Sequence, residues 1–417
     1  MIRLSTAIAT ISFATLSTFP AAAAELRFVS GQEKQNGAVL KQIFETYNGS
    51  NPASTVNLEL DNKSDLDTTQ KVMADIVAGT TPDAVRVTGA VLRAYVDSGR
   101  AQPLDSCLAS APELAAQLDK GLVDNFRING KLYAMPWYVT LPALFINADA
   151  FKAAGLDMAN PPKTWSELEA AAARLSNKAD NKFGVLMYMP NTYMFEGQLT
   201  SAGGTMVAAN GKSGVGGPAA VEVMSYMRRL VDKGYMPAVS PGTFWGEAGR
   251  MFQAGETAML LTSSSGYTGL VSRATFKVAL APMPAKDGTT PLTMASGNGF
   301  VMLTTDPARQ EATCKALLSL VSPESVAQTV KATASSPINT TAAAKPELLG
   351  EFYEKNPELK IVNTQRSQNW YTLPGKANNE FQANFGDIQY EILTGATTAE
   401  AGMQRLSGIM NDLNAAK

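Results

Sequence analysis

A strand–helix–strand–helix–strand run at the start of the chain restricts its fold more than any other feature. "ELRFVS" (25–30) alternates as a short strand and ends in the polar loop "SGQEKQNG". "AVLKQIFETYNGSN" (38–51) then carries Val39, Leu40, Ile43, Phe44 and Tyr47 at helical spacing, and Asn48-Gly49 stops it. "TVNLEL" (55–60), "DTTQKVMADIVAG" (67–79) and "DAVRVT" (83–88) repeat the order. Alternation at these spacings predicts a parallel, helix-covered sheet. Ligands of such sheets bind at the carboxyl ends of strands, which points to the loops at 30–36, 61–65 and 88–89.

From residue 129 the character changes. An Asn-Gly hairpin turn precedes Met-Pro-Trp-Tyr, then come the strand "ALFIN" and a helix over 149–154 ended by Gly155. "FGVLMYM" (183–189), "TAMLLTSSSGYTGL" (257–270), "FKVALAPMPA" (276–285) and "GFVML" (299–303) read as strands, and "AAVEVMSYMRRLVDKG" (219–234) as an amphipathic helix. The tail is helical. Two α/β lobes with several chain crossings fit this pattern better than two successive domains.

Met1 to Ala24 has Arg3, an apolar stretch and small residues at its end, the order of a cleaved secretory leader. The first cysteine is Cys107, so no lipid attachment is expected at the cleavage point, and the mature chain would start near Glu25 in a Gram-negative periplasm. Removing 24 of 417 residues leaves 393, enough for two or three domains. A net charge of −2 provides no basic field for nucleic acid or acidic membranes. The chain has no histidine, which excludes a Ser-His-Asp triad, a Cys-His pair and a His-ligated zinc. Cys107 and Cys314, the two cysteines, make no thiolate metal site and are either free thiols or one bridge. A glycosidase built on two carboxylates survives these exclusions.

"PPKTWSEL" (161–168) has Thr164 three residues before Glu167, the pattern of a capping box, so Trp165 is expected to pack against its lobe. With the preceding "FINADAFKAAGLD" it is similar to a signature of family 1 extracellular solute-binding proteins of ABC transporters. "AGTTPDAVRV", "GKLYAMPW", "FQAGETAMLLTSSSG", "PMPAKDG", "SGNGFVM", "LVSPESVAQ" and "SSPIN" follow in the family's order over nearly the whole mature chain. "FYEKNPEL" and "LTGATTAEAGMQRL" resemble its glycerol-3-phosphate-binding branch. The resemblance implies a two-lobed periplasmic binding protein, each lobe a helix-covered, mainly parallel sheet, joined by three hinge crossings. It implies a monomer without cofactor or catalytic activity, delivering solute to an inner-membrane permease driven by a cytoplasmic ATPase. On the family's topology the N-lobe is 25–138 plus 263–297 and the C-lobe 139–262 plus 298–417. Cys107 and Cys314 then fall in different lobes, where a bridge would obstruct the hinge, so free thiols are favoured.

A sugar or polyol offers apolar C–H faces to aromatics and hydroxyls to carboxylates and amides. Carried onto the strand ends and crossings, this gives Gln32, Glu33, Asp65 and Thr88; Trp137 and Thr140; Tyr193, Glu196 and Trp245; Ser263 and Ser264; Gly297 and Asn298; and Ser335 and Trp370. Each also has a plainer reading: Trp137 as core, Glu33 and Asp65 as solvated loop charges, the Ser263–Gly266 stretch as a cap. The glycerol-3-phosphate branch places a tyrosine at Asp65, a glutamate at Gly89, and a phosphate-pairing arginine near Pro374–Lys376, where this chain has none. A phosphate dianion wants such an arginine, so a neutral sugar or glycosyl-polyol is expected. Glycerol-3-phosphate or a glycerophosphodiester is the alternative.

Overall fold

The computed structural model describes residues 24–31, 33–61, 65–373 and 376–415. Residues 1–23 of the expected leader and Gln32 lie outside them, as do the side chains of Glu33 and Asp65. The strands in chain order are β1 (Ala24–Ser30), β2 (Ser54–Leu60), β3 (Ala84–Thr88), β4 (Arg127–Ile128), β5 (Lys131–Leu132), β6 (Met135–Thr140), β7 (Pro142–Asn147), β8 (Phe183–Leu186), β9 (Thr257–Ser263), β10 (Val278–Pro282), β11 (Thr293–Met302) and β12 (Ser367–Asn369). The helices that frame them include α1 (Glu33–Ser50), α2 (Asp65–Val77), α3 (Gly89–Asp97), α4 (Asp105–Ala109), α5 (Trp165–Leu175), α6 (Thr192–Ser201), α7 (Pro218–Asp232), α8 (Phe244–Gln253), α9 (Pro307–Ser319), α10 (Pro323–Thr333), α11 (Lys376–Thr394) and α12 (Ala399–Ala415).

The opening run folds as its periodicity dictates. Val39, Leu40, Ile43, Phe44 and Tyr47 are all buried, and Phe44 meets Phe28 of β1 edge-on at 5.2 Å. β1 pairs in parallel with β2 and β3. The larger sheet has the order β12-β11-β3-β1-β2, with β6 also on β11, and the smaller one β10-β7-β9-β8. Both are mixed: in the larger, β1–β2, β1–β3 and β11–β12 are parallel while β11 runs antiparallel to β3 and β6. In the smaller, β7 runs antiparallel to β9 and β10, so that sheet is mainly antiparallel. These strands enter their sheets from a chain crossing instead of a βαβ unit, so no crossover helix imposes a parallel direction. In the β4–β5 hairpin Asn129 and Gly130 both take positive φ (50° and 80°), as a two-residue turn of matching twist requires.

The strand pairing places the crossings differently from the family-based division. The first lies between β6 and β7, at Thr140–Pro142, close to the expected 138/139 boundary. The segment 263–282 stays with the smaller sheet, since β10 pairs with β7 along its whole length, and the chain returns only between Pro282 and Thr293. β11 is then held by ladder hydrogen bonds to β3 and β6, and α9 and α10 pack on β1 and α1, so 298–369 belongs with the larger sheet. The last crossing follows β12 and leads to α11 and α12, which pack on α7. Consequently Cys107 on α4 and Cys314 on α9 sit in one lobe, and they are bridged, with Cα atoms 5.6 Å apart. The hinge objection to a bridge therefore does not apply.

Helix α5 starts as read. The Thr164 hydroxyl accepts the Glu167 N–H at 3.3 Å, and the Glu167 carboxylate accepts the N–H groups of Lys163 and Thr164. Trp165 is buried, stacks on Tyr226 at 4.8 Å and donates its indole N–H to Gln198. Thr164→Ala should cost about 1 kcal/mol, seen as a lower urea midpoint at unchanged slope.

Candidate functional site

A cavity of about 390 Å³ opens where the carboxyl end of β3, the first half of β11 and the last crossing meet. The larger lobe supplies Gly89 and Arg93 of α3, Asn125, Arg127, and Ala295–Gly297 of β11; the smaller lobe supplies Glu196 of α6; and Trp370–Thr372 close one side. Antiparallel pairing explains the convergence: Asn298 lies opposite Thr88, so the residues before it in β11 stand beside the end of β3. A larger hollow, about 840 Å³, lies by the disulfide, but it is walled by the larger lobe alone. In the first, strand ends and both lobes contribute.

The aromatic wall is fixed from behind. Trp370 donates its indole N–H to the Thr192 hydroxyl at 2.9 Å and meets the Tyr193 ring at 5.6 Å. The side-chain amide of Gln382 on α11 accepts the Thr192 backbone N–H and bonds the Thr192 hydroxyl. Tyr193 donates its O–H to the Thr140 carbonyl, tying α6 to the first crossing, and burial pushes its phenol well above the usual range. The Tyr371 N–H donates to Glu196 Oε2 at 2.8 Å. Burial pushes the Glu196 carboxyl up to about 8, the amide hydrogen bond opposing the rise in part. The cavity's two arginines are each committed: Arg93 to Asp97, and Arg127 to Asp105 and Asp124.

Glu196, Gly297 and Trp370 thus come together, with Thr88 immediately before Gly89 at the rim and Thr140 and Tyr193 in support. A side chain on Gly297 would collide with Phe126, whose ring would be 2.6 Å from its Cβ. Other candidates fall elsewhere. Trp137 is 1% exposed, donates to Thr329 and packs on Tyr138, a core residue of the larger lobe. Asn298 accepts from the buried Arg86, and Ser335 accepts from Thr333, both away from the cavity lining. Ser264 bonds Leu141 at the first crossing, while Ser263 caps the turn after β9. Trp245 stands 62% exposed at the start of α8, outside the lining. Sequence reasoning passed over Arg93, Asn125, Arg127, Gln368 and Asn369; the hairpin after Arg127 was the one available signal for that wall.

Residues 42–361 match the profile of bacterial extracellular solute-binding proteins, and the chain belongs to that family. The sn-glycerol-3-phosphate-binding periplasmic protein UgpB of Pectobacterium atrosepticum is 29% identical over 252 residues, 57% of this chain and 55% of that one. The chain spans little more than half the length of the curated relatives it matches. Among solved structures, an ABC substrate-binding protein of Listeria monocytogenes in complex with cycloalternan has a TM-score of 0.79 at 20% identity, over 94% of this chain and 99% of that one. UgpB of Mycobacterium tuberculosis in complex with glycerophosphocholine has a TM-score of 0.81 at 18% identity, with the same coverage. At such identities the likeness shows the shared two-lobed fold. Among the described residues, no helix is long and apolar enough to cross a membrane.

Proposed function

We propose that the chain is the periplasmic ligand-capturing component of an ABC importer. It holds a neutral sugar or polyol between the lobes and presents the closed form to an inner-membrane permease with its ATPase. The observation that carries this reading is the interlobe cavity itself. One pinned indole, one carboxyl held by a backbone amide and several side-chain amides surround about 390 Å³, a size and chemistry suited to one small polyhydroxy ligand. Among the described lining residues Glu196 is the one carboxylic acid, whereas hydrolysis by a carboxylate pair needs two. The cavity arginines favour the second reading, a glycerophosphodiester or glycerol-3-phosphate. Their pairing with aspartates leaves them poorly placed to neutralise a phosphate.

Thermal-shift and calorimetric titrations with maltose, ribitol, glycerophosphocholine and glycerol-3-phosphate separate the two. A ligand at 100 times its dissociation constant adds about 2.7 kcal/mol. A shift with a neutral compound supports the first reading; shifts confined to the phosphate compounds would overturn it. Trp370→Ala should weaken the bound sugar by roughly 2 kcal/mol, about thirtyfold, while the far-ultraviolet circular dichroism stays that of the wild type.

A further inference from the structure

Glu196 occupies a place that supports a carboxylate poorly. It is 4% exposed although it borders the cavity, and among the described residues the Tyr371 amide is the only group hydrogen-bonded to it. The nearest cations across the cavity, Arg93 and Arg127, are paired with aspartates of their own lobe. Among the described side chains, the other elements packed on α6 bring it no compensating charge. β11 carries no titratable side chain; on α7 Glu222 pairs with Lys286, Arg228 with Asp232 and Arg229 with Glu169; and α11 turns the Gln382 amide to Thr192. The phenols of Tyr193 and Tyr371, beside it, are themselves kept protonated by burial. A carboxylate taken out of water without a partner keeps its proton instead, and burial pushes this one up to about 8.

We propose that Glu196 is the specificity-determining residue of the cavity, meeting the ligand as an uncharged acid that donates its hydroxyl hydrogen to an ether or hydroxyl oxygen of a neutral sugar or polyol. The inference rests on the carbohydrate reading above. A carboxylate only accepts hydrogen bonds, whereas the acid both donates and accepts. It can therefore bind the ring and glycosidic oxygens of a sugar, which only accept and which a carboxylate would repel. Enclosure by the ligand removes the remaining water and holds the proton more firmly, so loss of the proton opposes binding.

Two measurements test this. The first follows thermal unfolding of the unliganded wild type and Glu196→Gln from pH 5 to 9. Between the ordinary carboxyl range and about 8 the folded protein keeps a proton that the unfolded chain releases. Wild-type stability should therefore fall as pH rises through that window and level off above it. Glu196→Gln, with no proton to release, should lack that part of the slope. The second is calorimetry with maltose and ribitol as probes. Wild-type affinity should fall about tenfold between pH 7 and 9, following the loss of the acid, and Glu196→Gln should flatten the profile. Glu196→Asp, one methylene short, should bind at least tenfold more weakly at both values. Parallel unfolding profiles for wild type and Glu196→Gln, or wild-type affinity that rises with pH, overturn the role of Glu196 alone. Binding of neither probe overturns the carbohydrate reading and this role with it.

Discussion

Replacing both bridged cysteines, as Cys107→Ser with Cys314→Ser, is expected to lower the unfolding free energy by on the order of 5 kcal/mol. The bridge closes a sequence separation of 207 residues, and cross-linking so long a loop removes much of the freedom of the unfolded chain. In the folded state it joins α4 to α9, two helices that already pack together in the larger lobe. The part of the smaller lobe from β7 to β10 and the first two crossings lie within the closed loop, so the unfolded chain stays constrained across all of them. Because the link does not run from lobe to lobe, it leaves the hinge free. Urea melts of the oxidised protein, the protein treated with dithiothreitol and the double variant should show one high and two lower midpoints. Coincident midpoints would remove the bridge from the protein's stability. Ligand affinity should be the same in all three, measured where each is folded, since neither cysteine lines the interlobe cavity.

What the sequence disclosed follows from how local each signal is. The helix of Val39–Tyr47, the Asn-Gly hairpin and the Thr164–Glu167 capping box depend on residues a few positions apart, and all three are present as read. The strand pairs depend on partners far along the chain. β10 aligns with β7, and β11 with β3 and β6, over separations that no period in the sequence encodes. For this reason the later crossings moved, and with them the environment of the cysteines. The candidate cavity shows the same division. Glu196, Gly297 and Trp370 were named from family order; in the fold Trp370 follows β12 at the last crossing, while Glu196 lies in the second turn of α6 and Gly297 within β11. Trp137 was not distinguishable from them in the sequence; its burial against Thr329 and Phe300 arises from β6 and α10 meeting over a long separation. Arg93 and Arg127 escaped notice because only the fold turns α3 and the hairpin toward the same space.

Asp83→Ala should cost about 2–4 kcal/mol, the second-largest loss expected, although the residue does not line the interlobe cavity. The side chain follows Pro82 at the entry to β3 and is 3% exposed. Its Oδ2 accepts the Arg27 backbone N–H of β1 at 2.8 Å, and both oxygens accept from the Arg309 guanidinium of α9, at 2.7 and 2.5 Å. Its own backbone continues the stitching, donating to the Arg27 carbonyl and accepting from Leu303 just after β11. One residue thus joins two parallel strands, the return strand and the helix that carries Cys314. Truncation leaves a β1 amide without its acceptor and a guanidinium without its anion. Arg309 keeps 40% of its side chain in water, which holds the loss below that of a fully buried pair. A cycle of Asp83→Ala, Arg309→Ala and the double variant should therefore return a coupling of about 1–3 kcal/mol by urea melts; additive losses would mean that the pair contributes nothing as a pair. Asp83 lies at the opposite end of β3 from Thr88 and Gly89, so a folded Asp83→Ala protein should keep its ligand affinity. That separation follows from the strand itself: one end of β3 secures the lobe, and the other is left open to the cavity.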